Sequence, residues 1–340
     1  MKMPPRLRVE TLIVAARRVF GARRDSAVVD ALAAESGLHR SNVMLALDQV
    51  LELHPTDAQL DAMIARATER PAVLVVLAGN VFVAPFRAIA WALAQSDRVV
   101  VRPSRRSETF PRALIEAVPA LEIELAHFSH EELPSAIAAL PPNSAVHAYG
   151  TRETLQAIAT HARGAIELHG PGFGAMVATT DEYVAHASAI AEDIAVFDQG
   201  GCLSPRLALV IGDGAIAADA LHGALARIGE MIPRRTLDPG ETAALMASRD
   251  AAIYAGRALE GSEHLILELP AATLAPAGRA LVVVAVTDID DAVARLRALD
   301  DLAIIGTTFD LRATFPRLRI APLGRMQQPP LDGPVDLRVL

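Results

Sequence analysis

Short runs of β-branched and aliphatic residues alternate with longer stretches of helical periodicity along most of this chain. The alternation predicts a parallel, doubly wound α/β architecture. The first 70 residues differ. Val43, Leu47, Val50 and Leu51 follow Ser41 on one helical face, and Thr56 with Gln59 forms a capping box ahead of Leu60, Met63, Ile64 and Ala67. That segment reads as helical and architectural. From Pro71 the pattern predicts strands at 73–77, 99–101, 123–128, 145–149 and 165–168. After Gly170 a second series begins, with a strand at 175–178, a helix over 183–195 and a strand at 207–211. Further strands are predicted at 265–269, 281–286 and 304–309, with an amphipathic helix over 289–299 and a surface connection at 233–240. Pro329, Pro330 and Pro334 predict an extended tail.

Composition narrows this picture. Single hydrophobic cores stop growing at about 250–300 residues, so a chain of 340 residues is expected to form two domains. With 52% hydrophobic and 21% charged residues it is globular, and a net charge of −8 argues against broad nucleic-acid binding. Its one cysteine excludes an intramolecular disulfide and suits a reducing cytoplasm. The apolar run from Leu12 stops at Arg17 and Arg18, too early for a signal peptide. A membrane span needs about 18 apolar residues, and the run from Ala72 reaches only Gly79 before Asn80 breaks it.

The candidate chemistry centres on Phe197-Asp198-Gln199-Gly200-Gly201-Cys202-Leu203-Ser204-Pro205, where two glycines and a proline bracket the thiol. Glycines there permit a turn that aims the side chain into a cleft, often at a helix start whose amides favour the thiolate. In doubly wound sheets, ligands bind at the carboxyl ends of strands. Four predicted strand ends carry informative residues: Ala78-Gly79-Asn80, Arg102-Pro103-Ser104-Arg105, Gly150-Thr151 and Glu167-Leu168-His169-Gly170. A thiol of pKa about 8.5 needs help to ionise at neutral pH. Glu167 and His169 are both candidate bases, with His161 a third option more at home on a helix surface. Asn80 is a candidate amide donor to a developing oxyanion, partnered by the backbone N–H of Cys202. No metal ligand set is expected.

In order and spacing these motifs, with Glu167 35 positions ahead of Cys202, resemble the aldehyde dehydrogenase superfamily. Within it, Asp198-Gln199, Cys202-Leu203-Ser204-Pro205 and Arg319-Ile320-Ala321-Pro322-Leu323-Gly324-Arg325 most resemble the LuxC-type fatty acyl-CoA reductases. The resemblance implies two doubly wound lobes behind a helical N-terminal segment. Residues 1–170 would hold the helices and a Rossmann-like cofactor domain, rejoined by about 320–340, and 171–320 a catalytic domain. It also implies reduction of an acyl-CoA or acyl-carrier thioester to an aldehyde, with Cys202 acylated. Ala78, Gly79, Arg102, Ser104, Arg105, Gly150, Thr151 and Leu168 would contact the nucleotide. Arg105 stands where NAD-preferring members often carry an acid; an arginine there can pair with a 2′-phosphate, which favours NADPH over NADH.

The pattern also departs from the family. The counterpart of its ribose-binding glutamate, Ala272 to Pro276, contains no acid, and His169 replaces a glycine. The chain is short, and the family's assembly arm is not evident. Alternative readings are an NAD(P)-dependent aldehyde dehydrogenase in which Glu167 activates water, and a shortened, non-catalytic binding subunit. Partner expectations are an acyl thioester or aldehyde substrate, and a homodimer or an acyl-transfer enzyme.

Overall fold

The computed structural model describes residues 3–338. Four helices open the chain: α1 (Pro5–Phe20), α2 (Ser26–Ser36), α3 (Arg40–Leu45) and, after a π-helical turn, α4 (Asp57–Arg66). The capping box at Thr56 and Gln59 starts α4, with Thr56 Oγ1 accepting from Gln59 N–H and Gln59 Oε1 from Thr56 N–H. The chain then folds into two compact units. One contains the opening segment through Ser36, Ala46–Pro171 and the stretch from Pro330; the other contains Gly37–Leu45 and Gly172–Pro329.

The first unit is built on a five-stranded sheet. Its strands are β1 (Val73–Val76), β2 (Arg98–Arg102), β3 (Glu122–Leu125), β4 (Ala145–Tyr149) and β5 (Ala165–His169), all parallel, in the order β3-β2-β1-β4-β5. The helices between them are α5 (Ala84–Gln95), α6 (Thr109–Glu116), α7 (Leu133–Ala138) and α8 (Arg152–His161). Alternation along the strands assigns the faces. Leu74, Val76, Val146 and Ala148 pack on Leu133, Ile137, Leu155 and Ile158 of α7 and α8. His147 and Glu167, one position out of phase, point to the opposite face. There α5, buried from Pro85 to Gln95, lies against the sheet. The order reverses between β1 and β4, so the loops bearing Gly79 and Gly150 flank the crevice where such sheets bind ligands. The proline-rich end is packed, not loose: Leu331 and Asp336 are buried.

The second unit carries a seven-stranded sheet. After β6 (Phe173–Thr179), α9 (Thr180–Ala195), β7 (Pro205–Ile211), α10 (Gly214–Met231) and α11 (Pro239–Ala255) come β8 (Arg257–Glu260), β9 (Leu265–Glu268) and β10 (Ala280–Val286). The remainder is α12 (Ile289–Arg297), β11 (Leu302–Thr307) and β12 (Arg319–Ala321). The order is β12-β11-β6-β7-β10-β9-β8, with only β8 antiparallel to its neighbour. Apolar side chains of β6, β7, β9 and β10 form one core with Leu245 and Ala252 of α11 and Ala292 and Leu296 of α12. Three sequence expectations need revision, the first because β3 ends at Leu125 and not at Phe128. The stretch 233–240 is a connection only as far as Asp238, which caps α11 at Pro239, and β11 starts two residues before the predicted Ile304.

Candidate active site

The candidate residues are divided between the units: Asn80, Glu167, His169 and the nucleotide set belong to the first, Cys202 to the second.

In the first unit the β1 loop passes close over the β2 loop. A Cβ on Gly79 would meet Ser104 Oγ at 2.5 Å and Ser104 Cβ at 3.0 Å, so only glycine allows this approach. Ala78 and Gly79 are half-buried in that loop and Asn80 is exposed. Arg102 is not a solvated loop residue. It is buried, donates from Nε to the Phe128 carbonyl at 3.2 Å and lies 5.8 Å from the Phe128 ring centroid; burial lowers its pKa. Arg105 and Arg106 are exposed. Thr151 caps α8, its Oγ1 accepting from Thr154 N–H at 3.3 Å, and Gly150 N–H donates to the His169 carbonyl at 3.2 Å. Leu168 packs against the α7 and α8 core, so its side chain faces away from Glu167.

Glu167 has partners that the sequence did not suggest. Trp91 Nε1–H donates to Oε2 at 2.6 Å and Gln95 Nε2 to Oε1 at 3.1 Å. Trp91 and Gln95 lie one helical turn apart on α5 and meet the β5 residue directly. His147, paired with Glu167 across the strands, sits with Nε2 3.6 Å from Oε1, and its ring stacks on Trp91. Burial, reinforced by Arg70, pushes His147 down to about 3, so at neutral pH it is uncharged and forms no ion pair. His169 stacks on Tyr149 with ring centroids 4.4 Å apart. Burial is the largest influence on it and outweighs Asp336, holding it at about 4. A base that weak is poorly matched to a thiol, and an ordinary carboxylate is no stronger, so basicity does not choose between His169 and Glu167. The ring nitrogens of both histidines are buried without hydrogen-bond partners among the described residues.

In the second unit, Cys202 is half-buried in a turn between α9 and β7, beside exposed Gly200 and buried Gly201 and Leu203. The turn runs directly into β7, so no helix start supports the thiolate there. Backbone bonds from Gly200 N–H to the Phe197 carbonyl at 2.8 Å and from Ser204 N–H to the Gly201 carbonyl at 3.1 Å shape it. Gly174 N–H donates to the Ser204 carbonyl at 2.8 Å, and a Cβ on Gly174 would strike the Leu203 carbonyl oxygen at 2.9 Å. The segment following Arg325 closes over the turn: Gln327 Nε2 donates to Ser204 Oγ at 3.1 Å. Asp193 of α9 in turn accepts from Met326 N–H at 2.8 Å and Gln327 N–H at 3.2 Å. Burial pushes Asp193 up to about 7 against the pull of those two amides.

Several of the solved structures similar to this chain are aldehyde dehydrogenases. They include an NAD-dependent aldehyde dehydrogenase from Sinorhizobium meliloti, at 17% identity and TM-score 0.67, covering 96% of this chain and 75% of that one. The NADP-dependent glyceraldehyde-3-phosphate dehydrogenase of Bacillus halodurans, in complex with NADP, shares 15% identity at TM-score 0.65 over 95% and 80%. A benzaldehyde dehydrogenase from Corynebacterium glutamicum shares 17% at 0.65 over 95% and 82%. No curated protein sequence matches the chain. At these identities the likeness establishes the fold, which is aldehyde-dehydrogenase-like. The sequence model described as acyl-CoA reductase (LuxC) matches residues 41–328, and the chain belongs to that family. It is an oxidoreductase of the kind that converts acyl thioesters to aldehydes.

Proposed function

We propose that Cys202 is the acylated nucleophile and that reduction uses NADPH in preference to NADH. The observation that carries this reading is the half-buried thiol on a turn whose flanking residues are fixed. The Cys202 sulfur attacks the thioester carbonyl, the Cys202 N–H holds the negative charge on oxygen, and the donor thiol leaves. Each positioned amide donor contributes about 2.7–4 kcal/mol in the transition state. A bound nicotinamide supplies a hydride. The carbonyl carbon would accept it, the same donor would again hold the oxygen, and the Cys202 sulfur would depart as the aldehyde forms.

The first unit fits such a dinucleotide: the side-chain-free approach at Gly79, the N-terminus of α8 at Thr151 and the exposed Arg105 surround the strand crevice. Arg105 then reads the 2′-phosphate, while Arg102 holds the β2 loop through Phe128. Glu167 has both oxygens occupied by Trp91 and Gln95, which favours reduction over the oxidative direction, where it would have to activate water. The thiol must stay reduced, which suits a cytoplasmic setting. The acyl group arrives as a coenzyme A ester or from a partner acyl-transfer enzyme. A homodimer as the working form is tested by light scattering.

Aldehyde production from acyl-CoA tests the reading, with NADPH and NADH compared for the unsubstituted protein and for Arg105→Glu. We expect aldehyde with NADPH and a shift of preference towards NADH of about tenfold in the variant. An unchanged preference contradicts the Arg105 assignment, and a lack of aldehyde with either nucleotide contradicts the whole.

A further inference from the structure

Five non-glycine residues among those described adopt positive φ, and three of them meet behind Cys202: Asp198 (φ 47°), Gln199 (φ 63°) and Arg279 (φ 64°). Side chains rarely tolerate this region, and it persists where surrounding contacts hold it. Here they do. Arg279 Nε donates to Asp198 Oδ1 at 2.6 Å, and both side chains are essentially without solvent exposure. Asp198 Oδ2 accepts from Arg235 N–H at 2.8 Å. Arg279 Nη1 donates to the Ile232 carbonyl at 2.7 Å and lies 3.5 Å from Glu263. Gln199 bridges two strands: its Nε2 donates to the carbonyls of Pro205 at 2.7 Å and Ala280 at 2.6 Å, and its Oε1 accepts from Ala280 N–H at 2.9 Å.

Pro205 and Ala280 are the first residues of β7 and β10, adjacent strands of one sheet. The turn carrying the thiol is therefore fastened at its start to the N-terminal ends of two inner strands, one of them the β7 into which it runs. A buried ion pair and a buried amide are poor ways to gain stability alone, because each must first be desolvated. They are effective at fixing one geometry.

We propose that Asp198, Gln199 and Arg279 are positioning residues that aim the Cys202 sulfur at the acyl carbonyl. This rests on the reading of Cys202 as nucleophile. Reacting atoms must lie about 3–3.5 Å apart and in line, and a misplacement of about 1 Å can cost on the order of a hundredfold. Alkylation by a small, freely tumbling reagent needs the same thiol but no such alignment, so the two reactions separate aim from presence.

The test compares two rates per folded molecule: single-turnover acylation of Cys202 by acyl-CoA, followed by intact mass, and alkylation by iodoacetamide. The variants are Gln199→Gly, whose glycine takes up the same φ without strain, Asp198→Asn, and the pair Arg279→Lys and Arg279→Met. We expect acylation to fall about tenfold or more in Gln199→Gly and Asp198→Asn, with alkylation within about threefold of the unsubstituted rate. Lysine should retain more acylation than methionine at 279. The proposal is overturned if acylation stays within about twofold of normal, or if both reactions fall together in proportion to unfolded material. Should Asp198→Asn fail to fold, Gln199→Gly decides. If the unsubstituted protein alkylates at Cys202 but accepts no acyl group, it is the nucleophile reading that fails.

Discussion

Glu167 is bonded at both carboxylate oxygens by α5, and that arrangement separates the two directions of reaction. In a reductase no water needs activating, so Glu167→Gln should leave aldehyde production and slow thioester hydrolysis both within about threefold, whereas a tenfold loss of hydrolysis alone would favour the oxidative direction. Parallel product assays on one variant check this. The chain has a single tryptophan, so its emission comes from the indole that donates to Glu167. Glu167→Ala should shift and change the intensity of that emission; an unchanged spectrum would show that the hydrogen bond is not populated. Cys202, Asn80 and Glu167 stand out as candidates in the sequence because each lies in a short motif. Trp91, Gln95 and Arg279 could not, since the fold brings them to their partners across 76, 72 and 81 residues. A lone tryptophan on a helix was a usable hint, but nothing local names the residue it meets.

At the scale of elements, glycines set how closely loops approach. Gly79→Ala should drive the β1 loop away from Ser104 and weaken nucleotide binding, as measured by calorimetry. Equal affinity in Gly79→Ala and the unsubstituted protein would contradict the placement of the nucleotide there. Most strands were visible as β-branched runs, and β4 spans the predicted residues throughout. The elements that sequence reasoning missed have physical reasons. Helix α10 is alanine-rich, with weak contrast between its faces, and β8 and β12 are too short to show alternation. The start of α11 was legible after all: Asp238 caps it, Pro239 is its first residue and Glu241 completes the box. Its signal begins within the stretch 233–240 expected as a surface connection, where Pro239 and Gly240 adjoin. Strand β11 begins early because Asp301, at φ 63°, turns the chain immediately before it.

For the whole molecule, acid sensitivity follows from buried histidines. His147, His169 and His264 are held near 3, 4 and 4, in each case chiefly by burial, below their usual value of 6.5. Unfolded, each takes up a proton below pH 6.5, so stability is full above that pH and is lost as pH falls towards 4. Asp193, raised to about 7, works the other way: folded, it keeps a proton that the unfolded chain releases above about 4, so its contribution declines as pH rises to 7. Three histidines against one aspartate leave a net uptake of about two protons on unfolding near pH 5, so stability rises with pH there. Urea denaturation between pH 5 and 6 measures it, and His147→Leu should reduce the uptake by about one proton. A pH-independent midpoint over that range would contradict the burial of these rings.

The central claim, that an acyl group passes through the Cys202 sulfur, is tested most directly by time-resolved intact mass with acyl-CoA, followed by a chase with NADPH. The account predicts one acyl addition, mapped to Cys202 and absent from Cys202→Ser, which disappears on the chase as aldehyde accumulates. Aldehyde formed at an undiminished rate by Cys202→Ser, or an adduct that NADPH does not discharge, would contradict it.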